Sequence, residues 1–113
     1  MLKQANRLNR NKDFNKVFKQ GASAYGAVLG VKAVKNEAGK ARVAILVSKK
    51  VSKRAVVRNL VKRRLMEIIR LNWLSKLSGY DLVITCQPNI KDKSYQELET
   101  ELNTALTRLC KNI

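Results

Sequence analysis

The sequence predicts a single α+β domain, and three observations carry that prediction. Apolar residues recur at the helical period in three stretches. They form strand-length runs in three others, and Gly, Pro, Asn and Ser punctuate the joins. With 113 residues, 45% of them hydrophobic, the chain can bury about two-thirds of its unfolded surface around one core.

Residues 1–11 carry Lys3, Arg7 and Arg10 with no apolar period, which predicts an extended or mobile lead-in. Asn11 is placed to cap a short helix over Lys12–Gln20 that stops at Gly21. Phe14, Val17 and Phe18 form an i, i+3, i+4 stripe on it, with Lys12, Lys16 and Lys19 on the other side. Two readings fit the phenylalanines. They anchor a small core, or they line a groove and stack unpaired bases while the lysines follow the backbone. Residues 24–35 and 40–47 read as two strands joined in a hairpin through Asn-Glu-Ala-Gly. Gly26 and Gly30 predict a bend, a bulge or the close approach of another backbone. The unbroken apolar run Val43–Val47 predicts a central strand buried on both faces.

The segment Lys49–Arg64, KKVSKRAVVRNLVKRR, holds eight Lys or Arg in sixteen residues and no acid. Ser52 is the expected cap of a helix running to about Trp73. Steps of about 100° place Val57, Leu60, Val61, Leu65, Ile68 and Leu71 on one arc. Arg58, Asn59, Lys62, Arg63 and Arg70 fall on the opposite arc, with Met66 and Ile69. Arg64 projects into the apolar arc and has to snorkel outward. A linker ending at Ser78-Gly79 leads to a buried-type strand, Tyr80–Thr85, and Cys86–Asn89, with the only proline, reads as a loop. Ser94 and Glu97 have capping-box spacing and open a last helix to about Cys110, striped by Leu98, Leu102, Ala105, Leu106 and Leu109. Glu97, Glu99 and Glu101 near its start and Arg108 and Lys111 near its end suit the helix dipole.

The net charge is +16 and unevenly spread: residues 1–76 hold 20 Lys or Arg against 3 acids, residues 77–113 hold 4 against 5. A fold under this much self-repulsion calls for a polyanion. No apolar run is longer than Val43–Val47, so neither a bilayer span nor a signal-peptide core is expected. The first residues lack the amphipathic helix of a transit peptide, and cytoplasmic localisation is the expectation. Catalysis by this chain is not expected. There is no His, Cys86 and Cys110 read as ordinary buried thiols, and Asp13, Glu37, Glu67 and Asp81 are scattered, so neither a catalytic residue nor a metal site is predicted. Binding to structured RNA fits best. Half of the basic helix must pack on a sheet, no DNA-reading motif accompanies it, and the other cations lie on separate elements. A structural RNA-binding protein of ribosomal or assembly type is the alternative, and a protein of membrane surfaces or compacted DNA a more distant one.

The run RVAILVSKK (Arg42–Lys50), then Ala55-Val56-Val57-Arg58-Asn59 and Lys62-Arg63, resembles the signature of the bacterial ribonuclease P protein subunit. The segments DFNKVFKQG, GYDLVI and SYQELE follow the same family's order across nearly the whole chain. The resemblance implies an α-β-β-β-α-β-α two-layer sandwich of ribosomal-protein-like fold. Its sheet is mixed, its β-α-β crossover is left-handed, and a further short strand lies between residues 22 and 35. It implies a partner RNA that uses Mg²⁺ to remove the 5′ leader of precursor tRNA, while the protein binds that RNA, holds the leader and strengthens metal binding. No protein partner is evident. By position, Lys53, Arg54, Arg58, Asn59, Lys62, Arg63 and Arg64 are expected on the RNA subunit. Phe14, Phe18, Lys32, Lys49 and Lys50 are expected on the leader, in a cleft between the first helix and the sheet, which favours the stacking reading of the phenylalanines. The chain departs from the family pattern at Leu60 and Met66, where basic residues are usual, and at Lys32, where a cleft aromatic is common.

Overall fold

Four strands and three helices follow the order α1 (Asn11–Gln20), β1 (Ala22–Tyr25), β2 (Leu29–Lys35), β3 (Arg42–Leu46), α2 (Ala55–Asn72), β4 (Tyr80–Cys86) and α3 (Tyr95–Lys111) in a computed structural model. It describes residues 6–8 and 11–111; the rest of the basic lead-in lies outside the described residues. The architecture is α+β with a mixed sheet, and β1 is the short strand that the family resemblance implied.

The sheet order is β1-β2-β4-β3, which corrects two expectations. The runs 24–35 and 40–47 do not form a hairpin with each other. β2 pairs antiparallel with β1 and β4, and β3 pairs parallel with β4. The Asn-Glu-Ala-Gly turn does form, with Gly39 at φ 73°, but it feeds a crossing over β4. β3 is therefore an edge strand. Val43, Ala44 and Ile45 are still buried, because both faces are covered and the lead-in shields the outer edge. Arg7 bridges Val43, the Leu8 N–H donates to the Val43 carbonyl at 3.0 Å, and the Asn6 side chain donates to the Ala41 carbonyl at 2.7 Å.

One sheet face carries the main core. α2 lies against β3 and α3 against β1 and β2. The α2 arc is turned from the predicted one: Val61, Leu65, Ile68 and Ile69 are buried, whereas Leu60 and Leu71 are exposed. The helix meets β3, α3 and the 3₁₀ turn Pro88–Asp92 together, so no single flat wall sets its buried arc. Met66 also packs against this core, and Arg64 is half-buried. The predicted loop after Cys86 is partly that 3₁₀ turn, anchored by buried Ile90. Ser94 and Glu97 form the capping box reciprocally, at 3.0 and 3.2 Å, and all five stripe residues of α3 are buried. Cys86 is buried, whereas Cys110 is exposed, contrary to the expectation of two buried thiols.

The opposite sheet face is only partly covered. α1 crosses β2 and β4 there, and Leu8, Val17, Ala44 and Val83 make a small second core flanked by Phe14 and Val34. Gly21 ends α1 by donating its N–H to the Val17 carbonyl at 2.8 Å. Two of the acids that look scattered in sequence, Asp13 and Asp81, converge at this end of the sheet. Arg42 bonds both carboxylate oxygens of Asp81, at 2.7 and 2.8 Å, and reaches Asp13 of α1 at 3.5 Å; Asn36 adds a 2.8 Å bond to Asp81. The hydrogen bonds to Asp81 hold the Arg42 guanidinium charged more firmly than usual.

Candidate nucleic-acid interface

A groove of about 710 Å³ runs between β3 with its shielding lead-in and the cationic face of α2. Its apolar side is built from Leu8, Phe14, Ala44 and Leu46, with Met66 contributed by α2. Its polar side is built from Asn59, Lys62 and Arg63 of α2, with Arg7 across from them on the lead-in. The geometry follows from local rules. Asn59, Lys62, Arg63 and Met66 repeat at three- and four-residue spacing and so share one helix face. Ala44 and Leu46 lie two residues apart on a strand and so share one sheet face. No acid is among the lining residues.

Electrostatics reinforce the arrangement. Among the described residues, the cations held in ion pairs are Arg42, Arg70 and Lys93, none of them in the groove. α2 has no acid in its first turn, and Lys53 and Arg54 stand exposed at its positive dipole end. Such placement disfavours the free helix and favours an anion beside it. Arg58 is committed in part: its Nη1 donates to the Ser52 carbonyl at 2.9 Å. Ser52 does not cap α2; its hydroxyl accepts from the Arg54 N–H at 3.1 Å, and Arg54 occupies the cap position.

The predicted site residues therefore do not form one cluster, and Lys53, Arg54 and Arg58 stand apart at the start of α2. Phe14, Asn59, Lys62 and Arg63 meet in the groove, which merges residues expected on two different ligands. Phe18 and Lys32 form a second group on the adjoining sheet face, with the Lys32 ammonium 5.4 Å from the Phe18 ring centroid, within cation–π range. Lys49 and Lys50 are exposed on the turn after β3, closed by the Val51 N–H on the Ser48 carbonyl at 3.0 Å. The half-buried Arg64 lies outside the groove lining. The two phenylalanine readings apply to different degrees: Phe14 belongs to the second core and the groove together, and Phe18 is 44% exposed. Sequence reasoning missed Arg7, Leu46 and Met66 as lining residues. Alternation along β3 was the available signal for Leu46, and the i+3 relation of Met66 to Arg63 the signal for Met66.

A family model described as Ribonuclease P matches residues 2–110. The "Ribonuclease P protein component" of Alkaliphilus oremlandii is 37% identical over 108 residues, covering 96% of this chain and 94% of the relative. That of Clostridioides difficile is 36% identical over 102 residues, covering 89% of each. Among solved structures, the RNase P protein of Staphylococcus aureus superposes with TM-score 0.82 at 28% identity, covering 92% of this chain and 94% of that one. The RNase P protein of Thermotoga maritima gives TM-score 0.76 at 28% identity, covering 95% and 96%.

Proposed function

Because the chain belongs to the ribonuclease P protein family, we propose that it is the RNA-binding subunit of a ribonucleoprotein that removes the 5′ leader of precursor tRNA. The observation that carries this reading is the groove in which Phe14 faces Asn59, Lys62 and Arg63 with no acid among them. An unpaired strand needs an apolar platform for its bases and cations along its phosphates, and that groove supplies both. Lys53, Arg54, Arg58 and Arg64, with the outer part of α2, engage the folded RNA subunit. Phe14, Phe18 and Lys32, with Lys49 and Lys50 beyond the end of β3, hold the leader. Bond cleavage belongs to the RNA. The chain's role is to fix the leader and neutralise charge where the two RNAs meet.

Mg²⁺ is assigned to that RNA partner. The described residues hold no group of three or more His, Cys, Asp or Glu suited to a metal ion, and Asp13 and Asp81 are both turned onto Arg42. Work in the cytoplasm, where precursor tRNA is made in bacteria, follows from the same reading.

Reconstitution with a bacterial ribonuclease P RNA at low Mg²⁺ tests the proposal. The protein is expected to raise cleavage and to tighten binding of leader-bearing precursor over leaderless tRNA. Phe14→Leu, which retains apolar volume but removes the ring, is expected to lower the leader-dependent part by about 1–3 kcal/mol. Equal affinity of the wild-type complex for both substrates would return the chain to the structural RNA-binding class.

A further inference from the structure

The partly covered sheet face ends in a row with three solvent-exposed side chains. Register places Tyr25, Gly30, Thr85 and Leu46 side by side across β1, β2, β4 and β3. Tyr25 is 63% exposed and Leu46 39% exposed, and Thr85 is open to solvent as well. The Tyr25 ring lies across Gly30: a Cβ on that glycine would meet Cδ1 at 2.7 Å and Cε1 at 3.0 Å. Gly30 is therefore the seat of the ring, and the close approach that its presence predicted is made by a side chain and not by a backbone.

Lys32 follows Gly30 by two residues on the same face and is the diagonal neighbour of Tyr25. Its ammonium lies over Phe18, so an exposed aromatic, a cation and a second exposed aromatic succeed one another across the face. Leu46 belongs both to this row and to the groove lining, which makes the two surfaces continuous. Three interstrand steps separate β3 from β1, about 14 Å, so nucleotides beyond those held at Phe14 would reach the far end.

We propose that Tyr25, seated on Gly30, is a stacking platform for an unpaired leader nucleotide, with Lys32 contacting the adjacent phosphate. This rests on the leader-binding reading above and adds to it a residue on β1 that neither charge nor helical period singles out. An aromatic ring accepts any base on its face, so the contact adds affinity without demanding a sequence. A purely structural alternative is cross-strand cover of a glycine, which stabilises sheets by itself.

The test uses the reconstituted holoenzyme and precursor tRNA with and without a long leader. Tyr25→Ala is expected to reduce the ratio of leader-bearing to leaderless affinity by about 5- to 150-fold. Tyr25→Phe should keep the ratio. Gly30→Ala, which pushes an exposed ring off its seat without touching backbone, should reduce the ratio while thermal unfolding confirms the fold. An unchanged ratio in Tyr25→Ala, beside a wild-type protein that discriminates, overturns the Tyr25 assignment alone. Equal loss on both substrates also overturns it, as the signature of glycine cover. A wild-type complex with no leader preference overturns this inference and the reading beneath it together.

Discussion

Replacing Asp81 by Ala should show how firmly α1, and with it the groove, is set on the sheet. The Asp81 carboxylate is buried on β4 and accepts three hydrogen bonds, two from Arg42 of β3 and one from Asn36 at the turn after β2. Asp13 extends the cluster to α1 through the same guanidinium. Removing one partner of a buried pair typically costs about 3–5 kcal/mol, because the remaining charge is left without compensation. Here the lower end applies. The Arg42 side chain is 22% exposed and keeps Asp13 within reach, so it can partly rehydrate and partly re-pair. A loss of about 3 kcal/mol corresponds to a fall in Tm of about 13 °C for 113 residues.

Urea unfolding followed by circular dichroism, with the slope compared between variants, measures the loss directly. Asp13→Asn breaks only the longer and more weakly aligned contact and should cost about 0.5–1 kcal/mol. The double variant should cost more than the sum, since Asp13 is then no longer there to re-pair with the guanidinium that Asp81→Ala leaves behind. A loss below about 1 kcal/mol for Asp81→Ala would refute the reasoning. It would mean that desolvating the pair cancels its attraction, and that Val17 and Phe14 alone hold α1 in place.

The other predictions concern charge and thiol chemistry. Lys62→Ala with Arg63→Ala should lower the slope of log affinity against log salt for leader-bearing precursor tRNA, in the reconstituted complex, by about 0.7 unit per lost phosphate contact, measured by filter binding across a salt series. Arg58→Ala should instead combine a smaller slope change with lost stability, because its guanidinium also ties down the segment before α2. Burial pushes the Cys86 thiol up to about 12, so a thiol reagent at pH 8 should label Cys110 in the folded protein and Cys86 only after unfolding. The linkage follows: between the ordinary thiol value near 9 and about 12 the unfolded chain loses the Cys86 proton while the folded chain keeps it, so stability falls as pH rises through that window, and Cys86→Ala should flatten that fall.

Local rules and non-local ones divided this chain unevenly. α3 was legible in full because a capping box, a five-residue stripe and a single buried arc all act within a few turns of helix. The strand order was not. An Asn-Glu-Ala-Gly turn is compatible with a hairpin, and only β4, far along the chain, decides that β2 and β3 must part to admit it. The place of β3 differs from the expectation for a related reason: continuous apolar sequence reports burial of both faces and says nothing about the edge, which Arg7 and Leu8 cover through backbone pairing. The basic helix was legible as a motif and misjudged as a wheel, with Ile69 turned inward and Leu60 and Leu71 outward by three packing partners. Asp13 and Asp81 could not be joined to Arg42 by spacing at all.

The same distribution of acids explains why the groove retains its positive field. Every carboxylate that the fold brings against a cation is occupied on other business: Asp13 and Asp81 with Arg42, Glu67 with Arg70, Glu97 with Lys93 and the Ser94 cap, among the described residues. Arg7, Lys62 and Arg63 thus line the groove with apolar Phe14 and Leu8, and no carboxylate is among its lining residues to offset their charge. Cations in that setting repel one another and weaken the free protein. A bound polyanion converts the repulsion into attraction, so the arrangement that costs the isolated chain stability is the one that gives the complex its affinity and its salt dependence.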